Sequence, residues 1–456
     1  MVSLGMKRVS AIAAFAIAAI LSAGVATSAS AGSAFAAMPD AEKAASGLTL
    51  ASTQADGAGA YLAEAQAKYG VADDRVLQVN DVTELASQLK AAQRLASSDA
   101  KCIVYLPAGT YEVGETLSVP ANVVLVGESD SVITPSATFD ILVKINGSVY
   151  GGTFDCNHKN KTGLKFLETN YANDNGRIDK AIVTESDYYG IVAIHPNSKN
   201  SVVSGCKVTK CKASGISILD AAYIKLIENS DFSNNGTAGI NLSHADVGTI
   251  RKCTINNNGD KAISTNSDPV NSYKQPGCTI KSVTGCTIKG NKTNGVYIKP
   301  KCKLLSFTNN TLINNKDGLS AVGVTEYGTK GASVIKNVVG NTFKGNGNAQ
   351  IRAAAKGAVV YVGKNNKILN GPAAGIAARN KGKVVVNGAN NQIKKNKGAG
   401  LNASGASVIT VSGKKNVIAN NGRYAVYCID KSKVTLNKVT RKGAIYSRNK
   451  GKVVVK

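Results

Sequence analysis

The chain has 456 residues, with 46 Gly, 9 Pro, no Trp and a formal net charge of +26. That length can bury a large core, and a composition rich in Gly and Asn predicts many short strands joined by tight turns rather than long helices. Beyond the N-terminal segment no stretch is apolar enough to span a bilayer.

In chain order, Lys7 and Arg8 precede an apolar run over residues 12–21, and small residues follow up to Ala34-Phe35-Ala36. This is the pattern of a signal peptide over residues 1–36, which predicts a secreted or cell-surface protein whose mature chain begins near Ala37. No Cys follows the apolar run, so a lipid-anchored form is not expected. Residues 37–78 open with Ala, Ser and Gly and are expected to be a linker. Val82, Leu85, Leu89 and Ala92 recur at three- to four-residue spacing, which predicts a short amphipathic helix within residues 79–100. Strand-like sequence begins at Ile103.

From there to the end the chain repeats itself. Small-aliphatic pairs recur as Gly190-Ile191, Gly215-Ile216, Gly239-Ile240, Ala262-Ile263, Gly295-Val296, Gly318-Leu319, Gly375-Ile376 and Gly400-Leu401. Most gaps are 23–25 residues, and two longer ones hold loops. Nine positions before the small residue runs a column of Cys206, Ser230, Cys253, Cys286, Asn309, Asn341, Asn366, Asn391 and Asn416. Four positions before it runs a second column, from Cys211 through Asn235, Asn258, Asn291, Asn314 and Asn346 to Asn396 and Asn421, interrupted at Gly371. One repeat makes one turn of chain with about three short strands, and only stacking buries its apolar face. The fold class predicted is all-β: a single right-handed parallel β-helix over residues 101–456, of about 13–14 turns, with a capping helix at its N-terminal end.

The helix followed by Val104-Tyr105-Leu106-Pro107-Ala108-Gly109-Thr110-Tyr111 and Val124-Leu125-Val126-Gly127-Glu128 resembles the opening of the pectate-lyase-like superfamily. The Asn-bearing turns resemble its right-handed β-helix repeat. The resemblance covers roughly residues 79–456. It implies the fold, and with it lyases, hydrolases, epimerases, tailspikes and adhesins as possible activities.

The charge is uneven. Residues 321–456 carry 25 Lys and Arg against only Glu326 and Asp430, whereas residues 1–320 carry 30 basic and 27 acidic residues. A field of that sign attracts polyanions, and an exported protein meets acidic polysaccharides and cell-wall polyanions rather than nucleic acid. The chain closes on Lys450, Lys452 and Lys456, expected to flank an open strand edge and discourage self-pairing. The nine Cys contain no CxxC and form no Cys/His cluster, so no metal and no cofactor are expected. Cys253 with Cys286, and Cys278 with Cys302, share columns on adjacent turns. They read either as disulfides or as free thiols filling inward positions.

Five positions after the small residue the columns place His195, Asp220, His244 and Ser267 on one edge, with Tyr189, Asp187, Asn241 and Asp246 nearby. Such a cluster suits acid–base work on a uronate: a base for the C5 proton, an acid for the leaving oxygen, and an Asp to hold an imidazole tautomer. His195, Asp220, His244 and Tyr189 are the candidate catalytic residues. Asp187, Asn241, Asp246 and Ser267 are the candidate substrate-binding residues. Tyr189-Gly190-Ile191-Val192-Ala193-Ile194-His195 is similar to the Tyr-Gly-Phe-Asp-Pro-His signature of alginate epimerases, but Val192 stands where that family has its catalytic Asp. The sequence thus supports a polysaccharide lyase or epimerase, a non-catalytic surface protein binding anionic polymers through its basic C-terminal turns, or a purely structural envelope protein.

Overall fold

The computed structural model describes residues 59–166, 176–194, 200–268, 277–325 and 327–456. The expected signal segment and the first part of the expected linker lie outside them. The repeats build three parallel sheets, called here A, B and C, of 20, 14 and 7 strands, sheet C running only through the later turns from Thr287–Lys289 onward. Every strand pair is parallel and joins one turn to the next. In sheet B, for example, Ile191 pairs with Ile216, Ile216 with Ile240 and Ile240 with Ile263. The 14 strands of sheet B mark about 14 turns of a solenoid, stacked at the ~4.8 Å spacing of neighbouring strands.

The interior is one continuous apolar column. Val104, Val149, Ile178, Ile218, Ile255, Ile288, Ile368 and Ile409 belong to the same buried cluster. Helix α1 (Ala60–Tyr69) and helix α2 (Val82–Leu95) stand at the N-terminal end. α2 lays Leu85, Leu89 and Ala92 against the interior of the first turns, and Asp81 caps it by accepting from the Thr83 amide at 2.8 Å.

α1 and a short strand, Val76–Gln78, lie inside the stretch read from sequence as a linker. Tertiary contacts decide this. Ala65 joins Val124, Val126 and Tyr150 in a second apolar cluster on the outside of sheet A. The buried Glu128 carboxylate accepts from the Tyr61 and Leu62 amides at 3.2 and 3.1 Å, capping α1 from a distant turn.

The bends between sheets are held by stacked side-chain amides. In one ladder the Oδ1 atoms of Asn310, Asn341, Asn366, Asn391 and Asn416 each accept from a backbone amide one turn earlier, at 2.8–3.0 Å. The parallel ladder runs through Asn235, Asn258, Asn291, Asn315 and Asn346. In the turn at 309–315 the ladder members are Asn310 and Asn315, not Asn309 and Asn314 as the sequence columns imply. Asn309 and Asn314 instead take the left-handed corner conformation, at φ 55° and 54°. At the break, Gln350 supplies the missing acceptor to the Asn346 amide. A Cβ on Gly371 would lie 2.4 Å from the Gln350 Nε2, so the glycine makes room for the substitute amide. All nine cysteines are buried free thiols, several filling ladder positions in the earlier turns.

Candidate functional site

The outward face of sheet B carries a column set by the register of its strands. Val192 pairs with Ser217, Ser217 with Asn241, Asn241 with Ser264, Ser264 with Tyr297, Tyr297 with Ser320 and Ser320 with Arg352. Further along it passes through Ala377 and Asn402 to Tyr427 and Tyr446, whose rings stack at 5.1 Å and 5°. Alternate residues of these strands fill the core, so polarity in this column is free to serve the surface.

Asp220 and His244 occupy the corner just after sheet B on consecutive turns, both at φ 52°, with the Asp220 amide donating to the Ser243 carbonyl. Left-handed backbone suits Asp and His at these corners, which gives both residues a structural role as well. His244 is 3% exposed, and its Nδ1 lies 3.1 Å from the Ser243 hydroxyl. Burial lowers the His244 pKa, against the opposing pull of the Asp220 and Asp268 carboxylates, so the imidazole is neutral near pH 7. Tyr189 is half-buried and packs edge-on to Tyr188 at 4.3 Å. Burial and then Tyr188 push its hydroxyl far above the usual tyrosine range, with Asp220 adding to the shift. The Asp220 carboxylate acts electrostatically on both groups, but Tyr189 begins its sheet B strand, whereas Asp220 and His244 follow the ends of theirs, so the phenol is rooted at the opposite strand end from the Asp220–His244 corner.

The other candidates fall as follows. His195 lies outside the described residues. Asn241 is in the outward column. Ser267 is buried beside the Cys302 thiol, on the inner side of the corner. Asp187 sits at the opposite end of the sheet B strand, where it pairs with Lys212 at 2.5 Å and lies 3.8 Å from His158. Asp246 begins a sheet A strand, and its Oδ1 accepts from the Thr279 amide at 2.6 Å. Asp187 and Asp246 are therefore held in other contacts, Asp187 two residues before Tyr189 at the start of the strand and Asp246 two residues past His244 at the entry to sheet A. The columns brought them near in sequence, but the chain turns between sheets before Asp246 and after Asp187.

A second cluster escaped the sequence reading. A cleft of about 320 Å³ opens on the sheet B face, lined among others by Asp260, Asn294, Tyr297, Asp317 and Arg352. Asp317 is 3% exposed and pairs with Arg352 at 3.2 Å, while Asn294 Nδ2 reaches the same carboxylate at 3.4 Å. Among the described residues its Oδ1 makes no hydrogen bond of good geometry, with Asn348 and the Ala349 amide close by. Burial raises the Asp317 pKa, outweighing the attraction of Arg352 and Arg379. Lys261 pairs with Asp260 and lies 5.3 Å from the centre of the Tyr297 ring. The cleft thus offers a buried carboxylate, an amide and a guanidinium to one small polar guest. A signal was present: in the position just before the small residue, where Ser214, Ala238, Ala349, Ala374 and Ala399 are small, Lys261, Asn294 and Asp317 are polar on three consecutive turns.

Close to the corner, Asp268 is held by Lys299 at 3.0 Å and by the Thr325 hydroxyl at 2.7 Å. Burial raises its pKa, but hydrogen bonds from Thr325, Thr329 and Lys299 win and leave it lowered. Among the described residues no group of His, Cys, Asp and Glu has metal-binding geometry, and no helix is long and apolar enough to cross a membrane.

These observations meet the comparisons with known proteins. The sequence matches the family described as right handed beta helix region over residues 169–339 and 326–455, more than half of the chain. The protein belongs to that family, and its solenoid is a right-handed parallel β-helix. No curated protein matches the chain. Solved structures that resemble it include the A-module of a mannuronan C-5 epimerase from Azotobacter vinelandii, at 15% identity and a TM-score of 0.37, covering 85% of this chain and 96% of that one. The catalytic unit of an alpha-1,3-glucanase from Streptomyces thermodiastaticus is 14% identical with a TM-score of 0.46, covering 74% of this chain and 66% of that one. A double mutant of the tailspike protein of E. coli bacteriophage HK620 is 12% identical with a TM-score of 0.47, covering 83% and 79%.

Proposed function

We propose that the protein is exported and binds an acidic, uronate-type polysaccharide along the outward face of sheet B. The observation that carries this reading is the Asp317–Arg352 cleft, set in a polar column that continues through Asn241 and Ser264. Sugar hydroxyls pair with carboxylates and amides, as Asp317 and Asn294 offer, and a uronate carboxylate pairs with a guanidinium such as Arg352. The basic turns 321–456 supply a field of matching sign.

Tyr189 at the start of its sheet B strand and the Asp220–His244 corner at the strand ends lie toward the N-terminal end of the solenoid, and we assign acid–base chemistry on the bound uronate to them. A neutral His244 takes the C5 proton and a protonated Tyr189 gives one to the leaving oxygen or the opposite face of C5. The purified protein should bind polygalacturonate or polymannuronate, with affinity lost in Arg352→Ala. Unsaturated product absorbance, or a change in uronate stereochemistry, should appear with wild type and vanish in His244→Ala. Binding without turnover would leave the alternative, a non-catalytic surface protein holding anionic polymers. No binding of either polyuronate, or binding indifferent to Arg352→Ala, would overturn the sheet B reading.

A further inference from the structure

A second recess lies on a different sheet. It is about 500 Å³ and opens on the outer face of sheet A, just where α1 ends. Four cations line it: Lys68 from the last turn of α1, Lys101 from the approach to the second strand, Arg177 and Lys225. Tyr69 forms a wall, and Val202 and Leu226, neighbours in the strand register, form an apolar floor. Among the described residues no carboxylate lines the recess.

One carboxylate stands behind it. Asp179 is 1% exposed and is saturated by four donors, each at 2.9 Å: the Tyr69 hydroxyl, Arg177 Nε and Nη2, and Lys68 Nζ. It fixes Lys68 and Arg177 in place and cancels one charge of four. Lys101 has no carboxylate partner among the described residues and rests its ammonium 5.2 Å from the Tyr69 ring centre. Among the described residues the Lys225 ammonium donates to the Asn200 side chain, at 3.4 Å. A net charge of about three therefore faces one recess, in a part of the chain whose total is nearly balanced. Like charges gathered over an apolar floor repel one another and are stabilised by an anion.

The donor geometry selects the anion. The Arg177 fork is spent on Asp179, so the planar bidentate grip that suits a carboxylate is taken. What remains are lysine ammoniums, point charges approaching from several sides, which suit the spread oxygens of a tetrahedral group. We infer that this recess is a binding site for a tetrahedral oxyanion, a phosphate or sulfate, and that its volume admits a group borne on a polymer as well as a free ion. The inference does not rest on the sheet B reading.

The test is calorimetric titration of the full-length protein at low ionic strength with tripolyphosphate, and separately with dextran sulfate to represent the polymer-borne group. Saturable one-to-one binding of tripolyphosphate is expected. Lys101→Ala/Lys225→Ala should weaken it by about tenfold or more, and Lys101→Arg/Lys225→Arg should keep most of it. Lys452→Ala/Lys456→Ala, which removes the same charge elsewhere, should leave it unchanged. Dextran sulfate displacing tripolyphosphate would make the polymer-borne group a ligand, and failure to displace would restrict the site to small ions. Polygalacturonate binding should survive the Lys101/Lys225 change, so loss of one activity is separable from loss of the other. Equal weakening in both double alanine variants, no saturable binding, or displacement by galacturonate monomer would overturn the site.

Discussion

Truncating one rung of the asparagine ladder should cost far more than its single side chain suggests. Asn366 is fully buried. Its Oδ1 accepts from the Asn341 amide at 3.0 Å and from Asn341 Nδ2 at 3.1 Å. Its Nδ2 donates to the Val338 carbonyl and to Asn391 Oδ1, both at 2.9 Å. In Asn366→Ala several neighbours keep a partner: Val338 O retains the Gly363 amide at 2.8 Å, Asn391 Oδ1 retains the Asn366 amide at 3.0 Å, and Asn341 Nδ2 retains the Phe307 carbonyl at 2.8 Å. The Asn341 amide keeps none. An orphaned buried donor costs about 1–3 kcal/mol and each lost net bond about 1 kcal/mol, which together give roughly 3–5 kcal/mol. The adjacent Asn365 is exposed and sits at φ 62°. Asn365→Gly keeps that backbone comfortable and should change stability by less than about 1 kcal/mol. Urea denaturation followed by circular dichroism, with unfolding and refolding curves shown to coincide, would measure both. If Asn366→Ala costs no more than Asn365→Gly, the ladder does not carry the bends and this reasoning fails.

Gly371→Asn alone should destabilise, because its side chain enters the space of the Gln350 amide, whereas Gln350→Ala/Gly371→Asn should recover part of the loss; a double-mutant cycle reads the coupling. Glu128→Ala should release α1, exposing residues 59–75 to limited proteolysis while the solenoid stays folded, and Glu128→Gln should do so more weakly. His244 has a folded pKa below its unfolded value. Its contribution to stability is therefore present above about pH 6.5 and lost as the pH falls below that; His244→Gln should flatten this limb of the stability profile, and an unchanged limb would contradict the assignment. Polyuronate binding should weaken steeply between low and physiological salt, where screening acts within about 8 Å; salt-independent binding would argue that the basic turns serve only solubility.

The repeat fixed much of this protein in advance. Aliphatics at the core positions, Asn at the bends and, in most turns, a small residue before the core aliphatic of sheet B recur at one period, and a solenoid is the arrangement that buries them all. The α2 helix was legible from its spacing, because α2 meets the core with one regular face. The corner holding Asp220 and His244 was legible for the same reason: a column in sequence becomes a stack in space. Tertiary structure decided the rest. α1 has a weakly patterned sequence and is held by the distant Glu128 and Tyr150. Asn309 and Asn310 are chemically alike, and only the bend selects which of them turns inward. The pairing of Asp317 with Arg352 joins adjacent turns, and the gathering of Lys68, Lys101, Arg177 and Lys225 joins residues up to 157 positions apart. Periodicity reports what every turn must do alike, whereas a binding site is made where particular turns depart from it, and those departures meet only once the chain is wound.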